Sequence, residues 1–317
     1  MFKTLLESMR VVALPMKTQF RGITIREVAL FQGEYGWAEF SPFLEYGDEE
    51  SSWWLASALE AATTPRPEAL RDSIRVNGTI PAIADGTLLR QIVESYPGCT
   101  TFKIKVGDNI SDDLLRIQLV KALRPEASLR LDVNGLWNVD QALTYLRQIY
   151  AIAPNIEYVE QPCGTVEQLR ELKSRADFPL QIAADEVVRK AADPFEVDLS
   201  GAADIVMLKV QPLGGLLRSH AIAAHHGLPT VVSSALESAV GITYGLSLAA
   251  SLPELEFACG LATGALFSKD VAHLPINEGE ISLNHPDIDL TGLDVAAERY
   301  EWWKNRAMRC NEILENR

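Results

Sequence analysis

The chain has 317 residues, 47% of them apolar, enough for one large α/β domain or two modest ones with a sizeable core. Its formal net charge of −14 argues against a nucleic-acid partner, because phosphate backbones select basic surfaces. Four scattered cysteines (Cys99, Cys163, Cys259, Cys310), the lack of a long apolar run near the start and the lack of any stretch approaching about 18 apolar residues predict a cytoplasmic protein with reduced thiols, no signal peptide and no membrane partner.

Residues 9–42 read as antiparallel strands with turns at Arg21-Gly22 and Gly33-Glu34, and SSWWLASALEAATT reads as a helix. A different rhythm follows. Short runs rich in β-formers recur as RVNGTIPAIA near 79, TFKIKVG near 104, LRLDVNG near 131 and IEYVEQP near 159, then LQIAADE near 183, ADIVMLKV near 207, LPTVVSSALES near 232 and ELEFACGLATG near 258. Helical patterns such as DDLLRIQLVKALR and VDQALTYLRQIYAI lie between them. Strand–helix alternation implies parallel strands joined by crossover helices, and eight such units close a (β/α)8-type barrel. The expected α/β fold is therefore a barrel over 96–285, its first strand beginning as early as about residue 76. An α+β capping domain over 1–95 precedes it, and residues 286–317 return to that cap as a terminal helix. The pairs Trp53-Trp54 and Trp302-Trp303 read as packing residues, and His225-His226 as structural.

In such barrels the chemistry sits at the C-terminal ends of the strands. Those ends carry Lys105, Asp132, Glu160, Asp185 and Lys209 on five consecutive strands, at separations of 24 to 28 residues. Each alone has an ordinary structural role, as a helix cap, a turn or a strand end; five in phase with the barrel period predict one site. Three carboxylates with no neighbouring histidine or cysteine form a hard oxygen set, suited to Mg²⁺, with Mn²⁺ as a substitute. A divalent ion there would stabilise the charge formed when a carbon beside a substrate carboxylate loses its proton. Lys103 and Lys105 alternate with apolar residues, so both face the lumen. Lys105 is the expected base, with Lys103 tuning it and Lys209 opposite.

KIK, LDVN, VEQP, ADE, LKVQPLGG and SSALES together resemble the enolase superfamily, in its muconate-lactonizing subgroup. The resemblance covers nearly the whole chain. It implies metal ligands at Asp132, Glu160 and Asp185, acid/base lysines at Lys105 and Lys209, and substrate contacts at Arg130, Gly214, Gly215, Ser233 and Ser234. The loop around Phe20 and Arg21 would close over the mouth. VNGTIPA, LRLDVNG and SSALESAVG resemble most the branch that eliminates water from a cyclohexadiene carboxylate in menaquinone biosynthesis. The same lysine and metal set serves relatives that racemise N-succinylamino acids, epimerise dipeptides or cyclise muconate, and a non-catalytic binder on this scaffold is the rival from another class. The oligomeric state is left open, a monomer included.

Overall fold

The computed structural model describes residues 2–317. The first part runs through α1 (Phe2–Glu7), β1 (Arg10–Phe20), β2 (Ile23–Gly33), β3 (Gly36–Phe40) and α2 (Asp48–Thr63). The three strands form an antiparallel sheet in the order β1-β2-β3. Arg21 and Gly22 both have positive φ, 50° and 79°, the two-residue turn whose twist matches the flanking strands. The second turn falls at Glu34-Tyr35, one residue beyond the expected place, because Gly33 pairs with Gly36. Asp48, Glu49 and Glu50 crowd the first turn of α2, where the helix dipole favours negative charge.

Next come β4 (Ser73–Arg75), β5 (Gly78–Ile80), α3 (Gly86–Glu94), β6 (Thr101–Lys105), α4 (Ile110–Leu123), β7 (Ser128–Asp132), α5 (Val139–Ile152), β8 (Ile156–Glu160), α6 (Val166–Arg175) and β9 (Ile182–Ala184). They continue as α7 (Glu186–Arg189), β10 (Ile205–Lys209), α8 (Leu216–His226), β11 (Thr230–Ser233) and α9 (Ala239–Ser251), and end with β12 (Glu280–Ser282) and α10 (Ala297–Glu315). Strands β5 to β11 form a seven-stranded sheet in sequence order, every neighbouring pair parallel. The crossover helices begin at side-chain caps: Asn109 for α4, and reciprocal capping boxes at Asn138 for α5 and Thr165 for α6.

The eighth strand is not formed. Its place is held by single parallel bridges, Cys259 to Val76 and Gly260 to Ser233. Hydrogen bonds from Asn77 N to Cys259 O (2.9 Å) and from Gly260 N to Val232 O (2.8 Å) close the ring at this seam. The backbone lies so close there that a Cβ on Gly260 would fall 2.5 Å from Ser233 Oγ, and the chain turns away into a 3-10 turn at Thr263–Leu266.

One layer of core fills the space between the sheet and its helices, and a smaller inward cluster of Tyr158, Ala183, Ile205, Met207 and Val231 plugs the lumen. The terminal helix starts at Ala297, later than the residue-286 boundary, and packs on the first sheet and α2. Trp303 meets Phe40 edge to face and donates to Glu27 Oε2 at 2.8 Å. The buried Arg306 donates to the carbonyls of Phe43 (3.0 Å) and Tyr46 (2.6 Å), fixing the loop between β3 and α2 from behind. All four cysteines are buried free thiols, and among the described residues no helix is long and apolar enough to cross a membrane.

Candidate active site

Parallel register brings the charged strand ends together: Lys105 is level with Asp132, and Asp132 with Glu160. Asp185 follows β9 directly, and Lys209 ends β10. Lys103, Asp132, Glu160, Asp185 and Lys209 are all buried. Lys105 Nζ donates to Asp132 Oδ2 (2.6 Å) and to Asn134 Oδ1 (2.7 Å). Lys103 Nζ sits between Glu160 Oε2 (2.8 Å) and Asp132 Oδ2 (3.2 Å). Lys209 Nζ donates to Asp185 Oδ2 (2.5 Å) and stands 3.7 Å from Glu160 Oε1. Lys103 and Lys209 thus occupy the gaps between successive carboxylates, and Lys105 stands at the outer end of the row, between Asp132 and Asn134.

Burial lowers the Lys105 ammonium, and Lys103 adds to that; the nearby carboxylates do not fully restore it, so Lys105 lies below the ordinary lysine value. For Lys103 and Lys209 burial acts the same way but is outweighed, by Glu160 and Asp132 for the first and by Asp185 and Glu160 for the second, and both are raised. Asp132 and Asp185 are held well below the usual carboxylate range because their cations overcome burial. Glu160 is raised, first by burial and then by Asp132. Lys105 is therefore the lysine of the three that most readily gives up its proton.

Among the described residues no three histidine, cysteine, aspartate or glutamate side chains stand together as a finished metal cluster. The donor set nevertheless suits a hard cation. Asp132 Oδ1 and Glu160 Oε1 are buried carboxylate oxygens with no hydrogen bond, and burying such atoms unpaired is costly. Cationic ammonium groups already lie between the three carboxylates.

The cavity above these groups is walled by Lys103, Lys105, Asp132, Lys209, Ser233 and Ser234 from the barrel, and roofed by Phe20, Arg21, Phe43, Tyr46 and Trp54 from the cap. Its accessible volume is small, about 30 Å³. A larger cleft of about 690 Å³ lies beside the segment after the seam, against Lys17, Asp270 and His273, and none of the strand-end lysines and carboxylates lines it.

Three of the sequence-predicted contacts lie elsewhere. Arg130 is buried beneath the site, donating to Glu157 Oε2 (2.5 Å), Asn77 Oδ1 (2.9 Å) and Ala258 O (2.7 Å), with its guanidinium 4.7 Å from the Tyr158 ring centre. Gly214 and Gly215 lead into α8, and that helix start is taken by the cap: Glu60 Oε1 accepts from Leu216 N (2.5 Å) and Leu217 N (3.3 Å). Substituted Cβ atoms would meet Trp53 at Gly214 and Glu60 at Gly215. His226 Nε2 lies 3.2 Å from the Pro194 carbonyl, outside the barrel mouth. The sequence reading passed over Asn134, Tyr46 and Arg189 and took Trp54, which lines the cavity, as a packing residue only. Arg189 sits one helical turn after Asp185, and its Nε donates to Asp185 Oδ1 at 3.1 Å. Asn134 belonged to LDVNG, but a left-handed residue (φ 54°) beside glycine reads first as a turn.

Residues 87–293 match the enolase C-terminal domain-like family and residues 11–62 the enolase N-terminal domain-like family. The chain belongs to the enolase superfamily. Within that superfamily it is 46% identical to the o-succinylbenzoate synthase of Mycobacterium ulcerans (strain Agy99), covering 99% of this chain and 96% of the relative. The synthase of Mycolicibacterium smegmatis is also 46% identical, over 98% of this chain and 97% of the relative. Among solved superfamily structures, the L-Ala-D/L-Glu epimerase from Bacillus subtilis superposes with a TM-score of 0.74 at 24% identity, over 90% of this chain and 98% of that one. Muconate lactonizing enzyme from Pseudomonas putida gives 0.70 at 20%, over 93% and 97%. These two share the fold.

Proposed function

We infer that this chain is an o-succinylbenzoate synthase, a hydro-lyase that dehydrates 2-succinyl-6-hydroxy-2,4-cyclohexadiene-1-carboxylate to 2-succinylbenzoate in menaquinone biosynthesis. The observation that carries the reading is the strand-end set itself: Lys105 and Lys209 approach one row of three carboxylates, and Lys105 alone of the three lysines is lowered. The near-full-length identity to synthases selects this reaction among those the set could perform.

Asp132, Glu160 and Asp185 would hold Mg²⁺, with Mn²⁺ able to replace it. The ion, when bound, supplies positive charge to the substrate carboxylate as its neighbouring carbon becomes electron-rich. Neutral Lys105 takes the ring proton on the carboxylate-bearing carbon. The released C–H electron pair forms the new ring double bond, and the C–O bond to the ring hydroxyl breaks. The hydroxyl leaves as water, taking its proton from the Lys105 ammonium and restoring the base. Lys209 stays charged and faces the opposite side of the anion. Ser233, Ser234 and Lys103 line the same space, and the cap roof excludes water.

A second reading, racemisation of N-succinylamino acids or dipeptide epimerisation, is favoured by the presence of a lysine on each side. Assay with Mg²⁺ decides between them. Dehydration should proceed, and an N-succinylamino acid in deuterated water should exchange its α-proton slowly or not at all. Exchange faster than dehydration would reverse the assignment, and no turnover of either substrate would leave a binding protein.

A further inference from the structure

We propose that Arg189 is a positioning residue that sets the orientation of Asp185 and, through the Tyr46 hydroxyl, couples metal loading to the Arg21 turn of the cap. This rests on the reading of Asp185 as a metal ligand. Arg189 belongs to the barrel, on α7, and its side chain is almost fully buried (3% exposed). It donates to Asp185 Oδ1 from Nε (3.1 Å) and to Glu186 Oε1 from Nη2 (2.7 Å). From Nη1 it donates to Tyr46 Oη at 3.4 Å. On the other side the same hydroxyl accepts from Arg21 Nη2 at 3.3 Å. Arg21 also lies over the Phe43 ring, 4.2 Å from its centre.

One arginine is thereby shared between a proposed ligand and the roof. With Lys209 on Oδ2 and Arg189 on Oδ1, both Asp185 oxygens are held, which fixes the carboxylate plane. A donor that holds a metal-ligating carboxylate in this way is typically worth about 10- to 100-fold in metal affinity. The distances indicate which way the coupling runs. The contacts of Arg189 to Glu186 (2.7 Å) and Asp185 (3.1 Å) fall within the usual 2.7–3.2 Å, while Glu50 Oε1 stands 3.9 Å away and both contacts to Tyr46 Oη exceed that range. The guanidinium is drawn toward its carboxylates at the expense of the hydroxyl. A divalent cation sharing Asp185 takes up part of that carboxylate's charge, which lets Arg189 bind Tyr46 more closely and steadies the turn above it. Tyr46 is a firm joint for this purpose, because Arg306 holds its carbonyl at 2.6 Å. The cavity's accessible volume of about 30 Å³ is far below the several hundred Å³ usual for a small-molecule site, so a substrate enters only when this roof parts.

Two readouts test this: Mg²⁺ binding by calorimetry, and tryptic cleavage after Arg21, followed by mass spectrometry with and without Mg²⁺. In the wild type Mg²⁺ should slow that cleavage at least about fivefold. Arg189→Gln should weaken Mg²⁺ about 10- to 100-fold, with Arg189→Lys recovering part of the loss. Tyr46→Phe should bind Mg²⁺ within about threefold of wild type yet lose the protection, and its defect in turnover should fall on KM more than on kcat. Arg189→Gln binding Mg²⁺ like wild type, or Tyr46→Phe retaining full protection, would overturn the proposal while leaving the metal assignment standing. A wild type that binds no Mg²⁺ would overturn that assignment, and the coupling with it.

Discussion

Replacing Glu60 with alanine should loosen the cap from the barrel without touching the chemistry. Its Oε1 accepts from Leu216 N (2.5 Å), Leu217 N (3.3 Å) and Tyr244 Oη (2.5 Å), so one half-buried carboxylate joins α2 to the starts of α8 and to α9. Hydrogen bonds to a charged acceptor are worth about 1.5–3 kcal/mol each, and a helix N-terminus adds about 0.3–1 kcal/mol. The longer bond is weak and water can replace part of the rest, so Glu60→Ala should cost about 2–4 kcal/mol and Glu60→Gln, which keeps an acceptor oxygen, about 1–2 kcal/mol. Urea titration, with the midpoint shift read at constant m, measures this, and a cycle with Tyr244→Phe should give a coupling of about 1 kcal/mol. Glu60 already fills the α8 start, so a substrate carboxylate is not expected there and KM should stay within about threefold in Glu60→Gln. Stability of Glu60→Ala within about 0.5 kcal/mol of wild type would refute the energetic reasoning, and a tenfold rise in KM for Glu60→Gln would return Gly214 and Gly215 to the substrate site.

Asp132→Asn, Glu160→Gln and Asp185→Asn should each abolish turnover and weaken Mg²⁺ in calorimetry, and chelation with EDTA should silence the wild type. Lys105→Ala should lose about 10²- to 10⁴-fold in kcat with the fold intact by circular dichroism; a near-normal rate would mean the base is another residue. Lys209→Arg keeps a cation that does not readily deprotonate, so it should retain some dehydration while losing any racemisation, compared as a ratio on one preparation. Glu237, raised to about 7 first by burial and then by Glu39, is protonated more readily folded than unfolded. Stability from that group is full below the unfolded value near 4.5 and lost as pH rises toward 7, about 2–4 kcal/mol in all. Melting curves at pH 5.5 and 8 should therefore separate in the wild type and separate less in Glu237→Gln, where Asp270, also raised to about 7 by burial, keeps part of the dependence.

The strand-end charges were legible because two periods coincide in them: alternation within a strand sets the face, and the recurrence of strand and helix sets the height. Face without height misled at Arg130. It shares a face with Asp132, but two residues of strand are about 6.6 Å, enough to move it from the cavity to the plug beneath. Gly214 and Gly215 pointed correctly to a helix start. No local pattern could reveal that a carboxylate 156 residues earlier than Leu216 fills it. Arg189 escaped notice because α7 has only four residues, too short for any apolar period. The missing eighth strand is of the same kind, since its apolar run is real but the close backbone approach at Gly260 is a tertiary fact.

The position of α10 has a consequence for how the molecule is made. The cap sheet and α2 are synthesised first, yet the surface that Trp303 and Arg306 cover stays bare until the barrel between them has been translated. At about 5–20 residues per second, the span 87–293 takes on the order of 10–40 s. Through that interval Phe40 and its neighbours offer an apolar face to the cell, an invitation to chaperones and a hazard in their absence. A circular permutant that begins with α10 would supply the covering helix beforehand, and it should aggregate less during synthesis.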